Sequence, residues 1–159
     1  MNKWVSAGIR VVLILMSVFT VFLAVVWIPD VAEYVKSTLS DEKLIDVINI
    51  GVYALSWLII IISLVIYALA FKFPGTVEKD AVFTESTAVL IKRIAQLLLV
   101  DCALLLVGVI VLFVIGETML SPLLLFFDIV GIAVLSMLFI LSKYVKDAAQ
   151  LKEEVDHTL

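Results

Sequence analysis

The chain has 159 residues, of which 64% are hydrophobic and 16% charged, and its formal net charge is −4. Soluble domains are roughly half apolar and about a quarter charged, so this composition indicates a membrane protein. The negative charge excludes a basic nucleic-acid-binding surface as the main feature, because phosphate binding needs clustered Lys and Arg. A single domain with about four membrane crossings fits this length, and a separate soluble catalytic domain does not.

Four apolar stretches follow one another along the chain, each close to the ~20 residues that a helix needs to cross a bilayer. None shows the alternating pattern of a membrane-spanning strand, and only helices and closed barrels satisfy the backbone in lipid. We therefore predict an all-α membrane protein with four transmembrane helices in a bundle. As a single domain, its helices are predicted over about residues 11–28, 48–71, 85–115 and 119–155.

Turn and cap residues separate the predicted helices. Pro29 is predicted to end the first helix, because proline removes a helical hydrogen bond. Ser40 is predicted to cap a helix that leads from Asp41 into the second crossing, and Thr84 to cap the third helix. Pro122 lies at the predicted start of the fourth helix.

Basic residues are divided unequally between the two sides of the predicted bundle. Nine of the eleven Lys and Arg residues lie in the N-terminus, in the loop 72–93 or in the tail after residue 142, and the other two are Lys36 and Lys43. Loops rich in Lys and Arg remain in the cytoplasm. Both termini are therefore predicted to be cytoplasmic, with the fourth helix extending into the cytoplasm.

The first two helices each carry their small and polar residues on one stripe. In the first helix the stripe consists of Arg10, Leu13, Ser17, Thr20, Ala24 and Trp27. In the second it consists of Tyr53, Ser56, Ile60, Ser63, Tyr67 and Ala70. Because small and hydroxylated residues allow close approach and hydrogen bonding between helices, we expect both stripes to face the bundle interior.

Two aspartates lie inside the apolar stretches, where a carboxylate costs several kcal/mol. Asp101 and Asp128 differ in predicted depth by ~10 Å, too far for a shared proton. One hypothesis is a proton or cation relay, and the other is a pair of satisfied polar contacts that fix helix register. The candidate polar partners are Ser17, Thr20, Ser63 and Arg10 for Asp101, and Tyr53 and Ser56 for Asp128.

The tail is predicted to be an amphipathic helix that continues from the fourth crossing. Tyr144, Ala148, Leu151 and Val155 recur at spacings of 4, 3 and 4 residues, while charged residues fall between them. Such an apolar edge needs a partner. Three partners remain open: the chain's own loop near residues 84–93, a second copy of the chain, or another protein.

Features of a catalytic site are sparse in this sequence. His157 follows Glu153 by four residues, which suits two metal ligands on one helical face, but a solvated helix end is the favoured interpretation. There is no Ser/His/Asp set, glycine-rich phosphate loop or HExxH motif. We therefore predict a protein that is not an enzyme and uses no metal or other cofactor.

The tail AAQLKEEVDHTL resembles the terminal signature of the bacterial domain-of-unknown-function 2975 family, whose members are small four-helix membrane proteins. His157 departs from the signature, since the family usually has Leu there. The segments VFTESTAVLIKRIAQ and WIPDVAEYV also resemble family motifs, in the same order along the chain. The matching tail positions are Ala148, Leu151, Lys152, Glu154, Asp156, Thr158 and Leu159.

The resemblance implies a multi-pass protein of the bacterial inner membrane with no established catalytic activity. Members are often encoded beside a small helix-turn-helix transcription regulator, which implies a cytoplasmic protein partner rather than direct nucleic-acid binding. The leading hypothesis is a regulatory protein, and the alternatives are a small transporter, acting as a homo-oligomer, and a structural subunit of a membrane complex. The candidate partner-binding residues are Phe83, Thr84, Leu151, Lys152, Glu154, Asp156 and Thr158.

Overall fold

The computed structural model of the chain describes residues 2–158, which form four long helices and one short helix and contain no strand. The four long helices are each long and apolar enough to span a membrane, which confirms the predicted fold class. The helices are α1 (Asn2–Thr38), α2 (Glu42–Ala70), α3 (Phe73–Glu78), α4 (Glu85–Val114) and α5 (Leu120–Thr158).

The long helices pack in chain order: α1 on α2, α2 on α4, and α4 on α5, of which the last pair shares the most extensive contact. Neighbouring long helices run antiparallel, since α2 descends from the end of α1 and α5 from the end of α4. We call the end of the bundle with residues 2, 71–84 and 158 the terminal end. The opposite end carries the turns 39–41 and 115–119. The short helix α3 packs on α1 at the terminal end.

The first helix continues through Pro29 to Thr38, so the prediction that Pro29 ends it is wrong. Proline inside a helix costs roughly 3 kcal/mol, because it removes a hydrogen bond and clashes with the preceding turn. Beyond the proline, Ala32 and Val35 are buried at helical spacing with Ile28. Burying Ile or Val is worth roughly 1.5–3 kcal/mol per side chain, which offsets that cost.

Side-chain caps determine where α2 and α4 begin. Asp41, rather than the predicted Ser40, caps α2: its carboxylate accepts a hydrogen bond from the backbone N–H of Lys43 at 3.0 Å. A charged oxygen also interacts favourably with the positive end of the helix dipole, an advantage that a serine lacks. The predicted cap of α4 is confirmed, since the Thr84 hydroxyl accepts a hydrogen bond from the backbone N–H of Thr87 at 3.3 Å.

The turn between α4 and α5 depends on two residues. Gly116 has φ of +89°, a left-handed conformation in which a side chain would be strained. The Glu117 carboxylate then accepts hydrogen bonds from the backbone N–H groups of Met119 at 3.1 Å and Ser121 at 2.8 Å. Glu117 therefore satisfies donors that would otherwise be unpaired at the start of α5.

At the terminal end, α5 packs against the first turns of α4. Ala88, Ile91 and Val145 form a buried apolar cluster, against which Phe73 also packs. Next to it, the buried Ser142 hydroxyl donates a hydrogen bond to the Ala88 carbonyl at 2.9 Å. These contacts fix the position of α5 up to about residue 145, and they determine where its unsupported part begins.

Glycine allows the closest approach of α4 and α5. A Cβ built at Gly131 on α5 would lie 3.0 Å from the Cys102 Sγ on α4. That distance is shorter than ordinary van der Waals contact, so a larger residue at 131 would force the thiol to move.

Gly131→Ala is expected to lower the melting temperature of the purified chain in detergent micelles, since overpacking typically costs about 1–3 kcal/mol. Gly51→Ala is the matched control: apart from its own helical neighbours, no heavy atom of the described chain lies within 4 Å of the added Cβ. Alanine also favours a helix over glycine by about 1 kcal/mol, so the control should be at least as stable as the wild type. In a Cys102→Ala background, Gly131→Ala should lower the melting temperature little, and an equal decrease in both backgrounds would contradict the proposed clash.

Candidate functional site

Three polar side-chain contacts join the four long helices in series, and we call this set the polar layer. One contact links α1 with α2, one links α2 with α4, and one links α4 with α5. From α1 to α5, they are the hydrogen bond between Thr20 and Tyr67, the hydrogen bond between Ser63 and Asp101, and the neighbouring side chains of Cys102 and Asp128.

Asp101 lies on α4, where it is partly buried against α2. Its Oδ2 accepts a hydrogen bond from the Ser63 hydroxyl at 2.9 Å, so the predicted pairing of these two residues is present. The other two hydroxyl candidates pair elsewhere, since Ser17 bonds to the carbonyl of its own preceding turn and Thr20 to a tyrosine hydroxyl on α2. Its Oδ1 is buried and has no hydrogen-bond partner within residues 2–158. The carboxyl group therefore retains an unused acceptor inside the bundle, which is unusual for a buried polar group.

Asp128 lies on α5 and is more deeply enclosed than Asp101, with 2% of the residue exposed. Its neighbour is the thiol of Cys102 on α4, a residue that the sequence analysis did not select. Cys102 directly follows Asp101, so the two carboxyl groups lie at similar levels of the bundle, and the predicted difference in depth of ~10 Å is wrong. Its Oδ1 also lacks a partner in the described part of the chain. Gly131 lies about one turn further along α5. Because it has no side chain, α4 comes close to α5 at this level, and the small Cys102 thiol faces the Asp128 carboxyl group.

The predicted partners of Asp128 on α2 occupy other positions. Tyr53 is 39% exposed on the outer surface, and Ser56 lines a cavity between the long helices. Neither side chain makes a hydrogen bond to another described residue. Ser56 and Ser63 of the predicted α2 stripe therefore face the bundle interior, as expected. Tyr53, the member of the stripe nearest the opposite end, faces outward instead.

A cavity of about 590 Å³ lies between α1, α2, α4 and α5, in the half of the bundle nearer the opposite end. Its lining is almost entirely apolar, and its volume lies within the roughly 300–1,000 Å³ of small-molecule sites. The lining side chains that carry polar atoms are Thr20, Ser56 and Ser63, with hydroxyls, and Trp27, with an indole N–H. Because Ser63 also holds Asp101, the cavity extends to the edge of the polar layer.

Arg10 pairs with Glu78 rather than with Asp101. Its guanidinium lies 3.0 Å from the Glu78 Oε1, which also accepts a hydrogen bond from the Ser6 hydroxyl at 2.6 Å. The Ser6 hydrogen bond and the charge of Arg10 hold the pKa of the Glu78 carboxyl below its ordinary value of 4.5. Asn2 makes a similar hydrogen bond to Asp80, so the first turns of α1 clamp the linker that contains α3.

The sequence contained a signal for this clamp. Asn2, Ser6 and Arg10 recur every four residues, which places them on one helical face. Two carboxylates, Glu78 and Asp80, follow in the linker predicted for the same side of the membrane. Arg10 therefore has a partner near water, where a charged pair costs less than it would beside Asp101 in hydrocarbon.

The tail continues α5 without interruption, and residues 151–158 are all exposed. Leu151 is 62% and Val155 55% exposed, so the apolar edge does not dock on the loop near residues 84–93, one of the three partners considered. The remaining tail candidates, Lys152, Glu154, Asp156 and Thr158, are solvent-facing side chains on the same helical segment. None of the four makes a side-chain contact with another helix in the described chain.

The two candidates at the start of α4 differ in availability. Phe83 is 58% exposed and free to contact a partner. The Thr84 hydroxyl is occupied, because it donates a hydrogen bond to the Ala81 carbonyl at 3.1 Å in addition to capping α4. Thr84 therefore has a structural role in positioning the loop that presents Phe83.

The Glu153 and His157 side chains lie on one face of the tail, with 3.9 Å between Glu153 Oε1 and His157 Nε2. Both are mostly exposed, and two ligands do not make a closed metal site. Across residues 2–158, no group of three or more His, Cys, Asp or Glu side chains could hold a metal ion.

The four long helices have apolar outer faces and polar contacts between them. This arrangement defines a multi-pass helical membrane protein. The chain belongs to the family described as protein of unknown function (DUF2975), whose family model matches residues 6–159. This match covers nearly the whole chain and confirms the resemblance of the tail and loop motifs. No curated protein and no solved structure matches the chain.

Ser63→Ala is expected to lower the free energy of unfolding by about 1–3 kcal/mol, because it removes the hydrogen-bond partner of a buried Asp101 oxygen. The control is Ser136→Ala, since the exposed Ser136 hydroxyl bonds only to the Ile132 carbonyl of its own helix. Unfolding in detergent micelles provides the measurement. In an Asp101→Leu background, Ser63→Ala should cost little, and an equal cost in both backgrounds would contradict the pairing.

Proposed function

We propose that this protein is a non-enzymatic regulatory protein of the bacterial inner membrane that binds a soluble cytoplasmic partner through its tail. The exposed apolar edge of α5 carries the proposal. Leu151 and Val155 lie four residues apart and are both more than half exposed. An apolar edge at this spacing is the usual feature by which a helix binds in a groove of another protein.

The length of α5 supports a role outside the membrane. Its apolar stretch ends near residue 141, and residues 142–158 extend about 25 Å further at a rise of about 1.5 Å per residue. Only the first part of this extension packs on α4, through Ser142 and Val145. A membrane anchor alone does not require the helix to continue beyond that point.

The charge of the tail also supports a partner. Between residues 151 and 158 lie three carboxylates and one lysine. Negative charge near the C-terminus of a helix opposes the helix dipole and lowers helix stability. A protein surface with an apolar groove and a basic rim would interact favourably with both the apolar edge and these carboxylates.

The distribution of Lys and Arg supports a cytoplasmic position for this surface. The terminal end carries nine of the eleven Lys and Arg residues, and such asymmetry favours the cytoplasmic side. The exposed Phe83 lies at the same end of the bundle and extends the proposed contact to the second loop. We propose a soluble transcription regulator as the partner, the class implied by the family resemblance.

Leu151→Ser together with Val155→Ser is expected to abolish capture of a soluble protein by the crosslinked chain in native membranes, because it removes the apolar edge and keeps the charges. Gln150→Ser with His157→Ser is the matched control, since it changes two exposed residues on the other side of the same helix, keeps the carboxylates and should retain capture. The readout is mass spectrometry of the crosslinked material. Equal capture by both double variants would refute the tail as the docking surface.

A proton- or cation-linked transporter is a second candidate function, favoured by the polar layer. The buried Oδ1 atoms of Asp101 and Asp128 lack partners within residues 2–158, and the 590 Å³ cavity reaches Ser63 beside Asp101. Ionisable groups inside a membrane commonly mark ion pathways. Four helices leave little room for a pathway, so this function would require a homo-oligomer.

If the chain is such a transporter, Asp101→Asn and Asp128→Asn are each expected to remove most of the proton flux into proteoliposomes, because amides cannot carry the proton. Asp46→Asn serves as control, since Asp46 is an exposed carboxylate near the opposite end. A pH-sensitive dye trapped inside the vesicles reports the flux. Flux unchanged by both intramembrane substitutions would exclude the transporter.

A further inference from the structure

A second cavity, of about 570 Å³, lies at the terminal end between the end of α2, the short helix α3 and the first turns of α4. Two cationic side chains from different elements line it: Lys72, directly after α2, and Arg93 on α4. Both are exposed, and within residues 2–158 neither lies in ion-pair distance of a carboxylate. The cavity thus contains two cations whose charges no ion pair neutralises.

Glu85 is the carboxylate in the lining of this cavity. It lies in the first turn of α4, and its charge reduces the positive potential without cancelling it. Hydroxyls of Thr76 and Ser86 also line the space. The combination of a guanidinium, an ammonium and hydroxyls suits an anion with several oxygen acceptors, and phosphate has this chemistry.

The level of the cavity along the bundle favours a phospholipid over a soluble anion as the source of the phosphate. Lys72 follows the apolar stretch of α2 directly, and Arg93 lies one residue before the apolar stretch of α4. This is the level at which the headgroups of a bilayer lie. The remaining wall is apolar, formed by Leu69, Val89 and Leu90, so an acyl chain attached to the phosphate would have a surface to follow.

We propose that this cavity binds the phosphate headgroup of an anionic phospholipid, with Lys72 and Arg93 holding the phosphate. Basic pockets between transmembrane helices bind anionic headgroups by this chemistry. The site is separate from the proposed docking residues, because the cavity lining includes neither a tail residue nor Phe83. Loss of partner capture by tail variants therefore leaves this proposal unaffected.

The test uses the purified full chain in detergent micelles, titrated with short-chain phosphatidylglycerol or phosphatidylcholine and observed by native mass spectrometry. Phosphatidylglycerol is expected to bind more tightly. Lys72→Gln with Arg93→Gln should weaken phosphatidylglycerol binding about tenfold or more, since each cation near a membrane surface is worth about 1 kcal/mol. Glu85→Gln should strengthen it.

Lys143→Gln with Lys146→Gln is the matched control. It removes the same charge from exposed positions at the terminal end, outside the cavity lining, and should leave the affinity nearly unchanged. Equal weakening by the two double variants would overturn the proposal in favour of non-specific attraction. Displacement of the lipid by inorganic phosphate at comparable concentration would also overturn it, since the site would then be one for a soluble anion.

A measurement on the wild-type chain tests the site without substitutions. Photoactivatable phosphatidylglycerol in vesicles should crosslink within residues 69–93, around the cavity. Crosslinks spread over all four long helices, or concentrated outside that range, would overturn the assignment of this cavity to the lipid.

Discussion

Hydrocarbon offers no hydrogen-bond partner to a polar side chain, and this constraint organises the interior of the bundle. A hydroxyl or carboxyl group placed there must bond to another helix, to its own backbone or to nothing. Ser63 bonds to Asp101 across the α2–α4 contact, whereas Ser17 bonds back to the Leu13 carbonyl of its own helix. The first kind of bond fixes how two helices are aligned, and the second does not. The series of contacts from α1 to α5 therefore sets the relative depth of the long helices.

At the terminal end polar groups are exposed to water, so their interactions cost less desolvation than those inside the bundle. There Arg10 and Glu78 form an ion pair with both side chains partly exposed, where desolvation is small and the pair is correspondingly weak. Its main effect is geometric, because it fastens the linker with α3 to the start of α1. Among residues 2–158, Lys72 and Arg93 in the same region have no ion-pair partner, which leaves their charges available to anions. Polar groups thus act as alignment contacts inside the bundle and as contact points for other molecules at its end.

The number of long helices could be predicted from the sequence, because each apolar stretch must be long enough to cross the bilayer. The sequence also predicted the cap at Thr84 and the pairing of Ser63 with Asp101 from local chemistry and depth. Pro29 was misassigned because burial of Ala32 and Val35, which depends on a second helix, outweighs a local preference. The contact of Asp128 with Cys102 could not be predicted, because it depends on the close helix approach that Gly131 allows.

The continuity of α5 has a mechanical consequence. From Leu120 to Thr158 it is one helix, so the part that contains Asp128 and the exposed tip belong to the same rod. The Ser142 and Val145 contacts with α4 act as a pivot between the two parts. With about 20 Å beyond Val145, a rotation of about 10° displaces the tip by about 3.5 Å. Asp128 lies about as far from this pivot on the other side, so a displacement at the buried carboxyl would be transmitted to the tail at a similar size, with α5 acting as a lever.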